Sequence, residues 1–278
     1  LTSFNNDSER AHNFSIQSGL SLILLNSNIS SAYEVDEIIH GFTPRLITCI
    51  SAGVLALQKL IKIYLIASSH TIDLIRLDKW DQTYHETLLA SFLTTSNTRI
   101  IIANSDLRRV EKIKKIACNE LVQNYLYVCL ADHLNEKGNV KIDKGLKPNC
   151  SECFKCIRTM STLDILGCID KYREQFDLEK YELVKKDYFK YIIKNSNKNR
   201  MLKEIYELII EKNFKLPKGV ARTFYLRKIA DSFIVFKVKV FNYVYYMVIR
   251  KSIAALKSIA KYFSSKRTSK IEKFKITG

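Results

Sequence analysis

The amino terminus lacks both features of a secretory signal peptide: Leu1-Thr-Ser-Phe-Asn-Asn-Asp-Ser-Glu9 has neither a basic n-region nor an apolar h-region. An initiator methionine is missing too, which points to a fragment, a processed chain or an incompletely assembled gene. No fixed period recurs, which excludes solenoid and propeller arrays, and no low-complexity linker divides the sequence. Long apolar runs are also absent. The most aromatic and apolar stretch, Leu226 to Arg250, carries Lys237 and Lys239 inside it and so falls short of the ~20 uninterrupted apolar residues of a spanning helix. It reads as a helical appendage on the main domain, an interfacial basic helix or a partner-binding helix. Acidic residues are scarce at the carboxyl end. From Lys215 onward 16 Lys/Arg face only Asp231 and Glu272, so about +14 of the net charge of +17 lies in the last quarter. A polyanion surface, whether for nucleic acid or an anionic membrane, is therefore expected of residues 215–278.

What is present is ordinary for a globular protein: 278 residues, enough for one large or two modest domains, with 47% hydrophobic and 26% charged residues, a balance that excludes disorder for most of the chain. The most informative local feature is Asn149-Cys-Ser-Glu-Cys-Phe-Lys-Cys-Ile-Arg158, because C-x2-C-x2-C brings three thiolates to one point. A closed tetrahedral site needs a fourth ligand. Cys129, at the end of Tyr125-Leu-Tyr-Val-Cys129, is the best placed, since the polar stretch Leu130–Asn149 with Gly138, Gly145 and Pro148 reads as a returning loop. Cys168 competes, but it follows a helix expected from about Ile157 and is better read as buried; Cys49 and Cys118 fall in apolar helical patterns and read as core. The spacing admits either zinc or an iron–sulfur cluster. Reduced cysteines in such a cluster fit a cytoplasmic protein better than a secreted disulfide framework.

Helices and short β-rich runs alternate along the first half. Ser8–Ser18 reads as a helix stopped by Gly19 and followed by a strand, Leu20–Leu25; Leu46–Leu60 has helical spacing and leads into a strand over Ile61–Ala67. A third strand, Arg99–Ala103, precedes Asn104-Ser105, expected to cap a helix from Asp106 to Ala117. This order predicts an α/β fold with a parallel sheet covered on both faces. Ligands in such sheets sit beyond the carboxyl ends of the strands, here Asn26-Ser-Asn28, Ser68-Ser69-His70 and Asn104-Ser105, all small and polar. Further on, Glu179–Phe214 is amphipathic and helical with a break at Asn195–Asn199, and Pro217 and Gly219 mark a boundary. The histidines His12, His40, His85 and His133 show no metal-ligand spacing among themselves.

Taken together, Ile66-Ala-Ser-Ser-His-Thr-Ile-Asp73 after a strand, Arg109-Val-Glu-Lys112 opening a helix, and the cysteine run followed by Arg158-Thr-Met160 resemble the 7-cyano-7-deazaguanine synthase branch of the PP-loop ATP pyrophosphatases, over roughly Glu9 to Tyr172. The resemblance implies a Rossmann-like domain over 1–172 and a helical, basic region over 173–278. It implies a structural zinc on Cys129, Cys150, Cys153 and Cys156, and ATP with Mg2+ used to adenylate an acceptor. By the same resemblance Asn26, Ser68, Ser69, Asn104 and Arg158 would line a nucleotide pocket, His70 and Asp73 would meet the acceptor, and Arg109 and Lys112 would neutralise phosphate charge. The family's Ser-Gly-Gly-x-Asp-Ser phosphate loop does not occur in these residues, so the chain is expected to be inactive by itself.

Two function classes result: an ATP-dependent adenylating ligase of PP-loop type, or a non-enzymatic zinc module that binds nucleic acid or an anionic membrane through its tail. The second would use aromatics among the basic residues, with Phe224, Tyr225, Tyr243, Tyr245 and Tyr246 as candidates. Deleting residues 215–278 is expected to abolish retention on both heparin and anionic liposomes, a retention that weakens with salt in the full chain. Undiminished retention after the deletion would place the polyanion surface elsewhere.

Overall fold

The structure is a computed structural model and describes residues 2–29, 45–129, 147–222, 224–227, 229, 245, 246, 249 and 250. The chain divides into two compact units, Leu1–Lys218 and Gly219–Gly278. In the first, α1 (Thr2–Ser18) ends at Gly19, whose φ of 69° is the left-handed conformation that stops a helix. The helix docks through Phe14, edge-on to Tyr125 at 5.7 Å, while the Tyr125 hydroxyl donates to Asn13 O (3.3 Å).

Helix α2 (Leu46–Ala56) is apolar, and its first N–H groups, on Ile47 and Thr48, donate to the Gln82 side chain (3.1 and 3.3 Å). Strand β1 (Ile63–Ala67) pairs in parallel with β2 (Arg99–Ala103), in register from Ile63 opposite Arg99 to Ala67 opposite Ala103. Between them lie two 3-10 turns, Ile72–Leu74 and Gln82–Tyr84, and helix α3 (Glu86–Leu93). Tyr64, Ile66, Ile100 and Ile102 turn one face of the sheet onto Ala90 and Leu93 of α3 and Leu55 of α2. The other face shows Ile63 and Leu65 exposed.

After β2 come α4 (Arg109–Ile116), α5 (Glu120–Tyr125), α6 (Phe154–Ile165), a 3-10 turn at Ile169–Tyr172, α7 (Leu178–Asn195) and α8 (Arg200–Glu211). Asp177 caps α7 by accepting from Glu179 N and Lys180 N (both 3.1 Å), and Asn199 caps α8 by accepting from Met201 N and Leu202 N (2.9 and 3.3 Å). Met160, Leu163, Tyr172, Phe176 and Tyr181 form the main core with the cysteines, Tyr172 donating to Ala117 O (2.9 Å) and Tyr181 to Asp164 (3.0 Å).

The α/β class and the strands near 63–67 and 99–103 agree with expectation; several details differ. Leu20–Leu25 forms no strand. It is irregular and exposed, and Leu25 lies so close to α2 that a Cβ on Gly53 would sit 2.8 Å from its Cδ2. An apolar run becomes a strand only if an edge accepts its main chain, and the sheet of the described residues has two strands, neither paired with it. The helix expected from Asp106 starts at Arg109, because Asn104 adopts φ 58° and closes a turn through Leu107 N–H to Asn104 O (3.2 Å) instead of capping. Helix α6 begins at Phe154 rather than near Ile157. The domain boundary lies after Lys218, not at 172, since α7 packs on α6 through Tyr181, and α8 packs on both α4 and α6. Cys118 is exposed and Cys49 half-buried rather than core, because α4 ends two residues before Cys118.

In the second unit Tyr225, Tyr245 and Tyr246 are exposed and Phe224 is buried. Tyr243, most of the apolar tail, His40, His133, Gly138 and Gly145 lie outside the described residues. No helix among the described residues is long and apolar enough to cross a membrane.

Phe189 is fully buried on α7 and stacks on Phe214 at 5.3 Å. Truncation to alanine removes that ring from a packed site, and a loss of about 3–5 kcal/mol is expected in denaturant unfolding. A loss under about 1 kcal/mol would show that α7 is not a fixed part of this core.

Candidate metal centre and adjoining cleft

The four cysteines converge because Asn149, fully buried, ties their two segments together. Its Oδ1 accepts from Val128 N (2.9 Å), and its Nδ2 donates to Leu126 O (2.9 Å) and Gln175 O (3.0 Å). The chain then turns through Ser151 at φ 63°, whose hydroxyl accepts from Asp177 N (2.8 Å). Cys153 stands at the N-cap of α6, which places Cys156 in the first helical turn, where the macrodipole favours a thiolate. Cys150 N donates to Cys129 Sγ (3.4 Å) and Cys153 N to Cys150 Sγ (3.3 Å).

All four Sγ atoms lie within 4.8 Å of one another and all four residues are buried. No disulfide joins them. Hydrogen bonding to Cys129 first, then to neighbouring thiols, together with burial, holds Cys150 and Cys156 well above the ordinary thiol pKa. Four thiols crowded into a dry site cannot ionise together without a cation. A tetrahedral ion with metal–sulfur bonds of about 2.3 Å sets its sulfurs about 3.8 Å apart. Cys150–Cys156 at 3.8 Å and Cys153–Cys156 at 3.5 Å match that edge, so the group could hold a single metal ion. A multi-iron cluster, whose cysteines bind different irons, spreads its sulfurs more widely. Cys168 stays outside the group, its thiol directed to Leu163 O (3.5 Å).

Beside this centre, at the carboxyl ends of β1 and β2, is a cleft of ≈ 280 Å³ lined by Ser69, His70, Tyr84, Arg109, Arg200 and Met201 among others. The strand ends are locked together: Ser68 N donates to Ala103 O (3.0 Å), Ser68 Oγ to Asn104 O (2.8 Å), and Lys112 Nζ reaches both Ser68 O (2.7 Å) and Ser68 Oγ. Ser69 N and His70 N, the groups a phosphate oxygen would seek, already donate to Glu86 Oε1 (2.7 and 3.5 Å). Burial raises the Glu86 pKa. His70 stacks on Tyr84 at 4.1 Å; burial lowers its pKa, with Arg109, Arg76 and Arg200 adding to the effect against Asp81.

The expected site residues separate on this geometry. Ser69 and His70 line the cleft, Ser68 and Asn104 brace the strand ends, and the exposed Asn26 lies outside because the run before it forms no strand end. Asp73 faces Arg200, which donates from Nη1 to Oδ2 (2.9 Å) and from Nη2 to Oδ1 (3.2 Å). Those hydrogen bonds hold the Asp73 carboxyl down at about 2. Arg158 is buried behind the wall, its Nη1 against Met201 Sδ and its Nε without a hydrogen-bond partner. Burial first, then Arg109, lowers the pKa of Arg158 and likewise that of Lys155.

Comparisons with protein-family models, characterised proteins and solved structures find no match.

Three residues that shape the cleft gave little warning in the sequence. Arg200 opens α8 directly after the break at 195–199, a visible helix start; Glu86 and Glu204 are buried carboxylates within helices, which no spacing marks. Glu204 Oε2 accepts from Val110 N at the start of α4 (3.4 Å), and its Oε1 lies 3.8 Å from Arg200 Nε.

A group whose folded pKa is raised loses stability as pH rises through that pKa. Glu86→Gln keeps the acceptor for Ser69 N and His70 N but removes the buried charge. The variant is expected to melt higher than the wild type at pH 8 and to lose that advantage towards pH 4, by thermal unfolding across that range. A pH-independent difference would show that burial does not set the Glu86 charge.

Proposed function

We propose that the four cysteines hold a structural zinc ion and that the cleft beside it takes the phosphate-bearing part of a nucleotide, as the resemblance to PP-loop ATP pyrophosphatases implies. The observation that carries this reading is the placement of a cation-rich cleft at the carboxyl ends of two parallel strands, where α/β sheets bind ligands. Zinc suits four thiolates in one buried tetrahedron. With every position taken by sulfur it would serve folding, not substrate, and its chemistry would be to hold Tyr125–Cys129 against α6. Lys155 and Arg158, within one turn of Cys153 and Cys156, stand near enough to offset the negative charge of a tetrathiolate ion.

On the cleft side Arg109 is the natural phosphate contact. Among the described residues its Nη2 touches a carbonyl, Ser69 O at 3.5 Å, and it adds positive charge at His70, Lys112, Lys155 and Arg158. The neutral His70 ring, already stacked on Tyr84, offers a flat surface for a base or an acceptor ring. Adenylation of an acceptor is the reaction this reading implies for an active form, and a phosphate loop of the Ser-Gly-Gly-x-Asp-Ser type would have to join the cleft for it.

One zinc per chain is expected by metal analysis of the purified chain, with Cys156→Ser losing it; stoichiometric iron with sulfide would overturn the zinc assignment. ATP and AMP are expected to bind weakly in calorimetry, and Ser69→Trp, which fills the cleft, to abolish the binding. Residues 1–278 are expected to release no pyrophosphate from ATP. Binding unaffected by the tryptophan would put the nucleotide elsewhere.

A further inference from the structure

Three carboxylates of the chain itself occupy the anion-seeking features around the cleft. Glu86 takes the N–H groups of Ser69 and His70, Glu204 takes the start of α4, and Asp73 takes Arg200. The first two are fixed: their residues are 3% and 7% exposed, and one oxygen of each, Oε1 of Glu86 and Oε2 of Glu204, accepts from main-chain N–H groups. Asp73 differs. Its side chain is 63% exposed, it sits in the short 3-10 turn Ile72–Leu74 rather than in an α-helix, and its pairing with Arg200 is an ion pair at the surface, the weakest kind.

Arg200 itself is well held without Asp73. Its Nε edge lies by Glu204 Oε1 (3.8 Å), its Nη2 also donates to Thr71 Oγ1 (2.8 Å), and Asn199 fixes the helix start beneath it. The remaining Nη1/Nη2 edge is a fork, and the Asp73 carboxylate meets it with two parallel hydrogen bonds. A phosphate or carboxylate group presents the same pair of oxygens at the same spacing.

We propose that Arg200 is the oxyanion-recognising residue of the cleft and that Asp73 is its internal stand-in, displaced when the phosphate group of a ligand binds. This rests on the reading of the cleft as a phosphate-binding site and adds its gate. Arg109, which lines the same cleft with its Nη2 by the Ser69 carbonyl and has no carboxylate at hydrogen-bond distance among the described residues, would offer the displacing phosphate a second guanidinium. The loop carrying Asp73 remains tied to the body by Ile72 N–H to Ser105 O (2.8 Å), so only the side chain has to leave.

The test is calorimetric titration of the zinc-loaded full chain with AMP and with inorganic pyrophosphate. Asp73→Asn removes the competitor but keeps the shape, and is expected to bind both probes about two- to fivefold more tightly than the wild type, the range that loss of one exposed ion pair allows. Arg200→Met is expected to weaken both by about tenfold or more, and Arg200→Met with Asp73→Asn to bind no better than Arg200→Met alone, because the gate acts only through Arg200. Asp187→Asn, which breaks a still more exposed pair with Lys190 on α7, is the control and should leave binding unchanged. Wild-type binding that neither Asp73→Asn nor Arg200→Met alters overturns the gate and leaves the nucleotide reading standing. Tighter pyrophosphate binding by Asp73→Asn with no AMP binding by any form upholds the gate and removes the nucleotide. Absence of binding by every form overturns both.

Discussion

Four thiols forced into one dry point are the constraint on which the middle of this molecule depends. They are brought there by buried hydrogen bonds, the Asn149 amide bridging Leu126, Val128 and Gln175. Once there, they can be charged only if something positive shares the space. The surrounding core of Met160, Leu163, Tyr172, Phe176 and Tyr181 is continuous with the cysteines, so the same ion that would satisfy the sulfurs would fasten α5, α6 and the start of α7. The cleft is tied to this region by the contact of Arg158 on α6 with Met201 on α8, which lines it.

Charge is the second theme, and it is handled by internal pairing. Carboxylates buried against main-chain donors set the shape of the strand-end loop and the start of α4, while guanidiniums remain at the opening. The result is a cavity with buried carboxylates behind its walls and guanidiniums among its lining. That division separates residues whose loss would disturb folding, such as Glu86 and Glu204, from residues whose loss would be read in binding.

The parts of this architecture that were legible in the sequence are those written in local pattern. The C-x2-C-x2-C spacing, the Ile63–Ala67 and Arg99–Ala103 strands, and the helix break at 195–199 each follow from neighbours in the chain. What could not be read depends on partners far away. Leu20–Leu25 has the composition of a strand but no edge to join. Asn104 looks like a cap, yet its backbone takes the left-handed turn that closes on Leu107. Asp73 looks like a free acid at a strand end until Arg200, 127 residues later, is brought against it. Periodicity carries no record of such pairings.

Two helices meet the cleft and the cysteine turn with a cation and no acid in their first turn: Lys155 on α6 and Arg200 on α8, both at the positive end of a macrodipole. Each placement forgoes about 0.3–1 kcal/mol that an acid there would give. A chain that repeats this choice around one opening gains a positive field reaching into solvent, which acts before contact is made. Anions would arrive faster than diffusion of neutral molecules allows, and that advantage would fade over the Debye length as ionic strength rises. If the cleft takes an anion as proposed, this field would serve the speed of encounter as much as the strength of the complex.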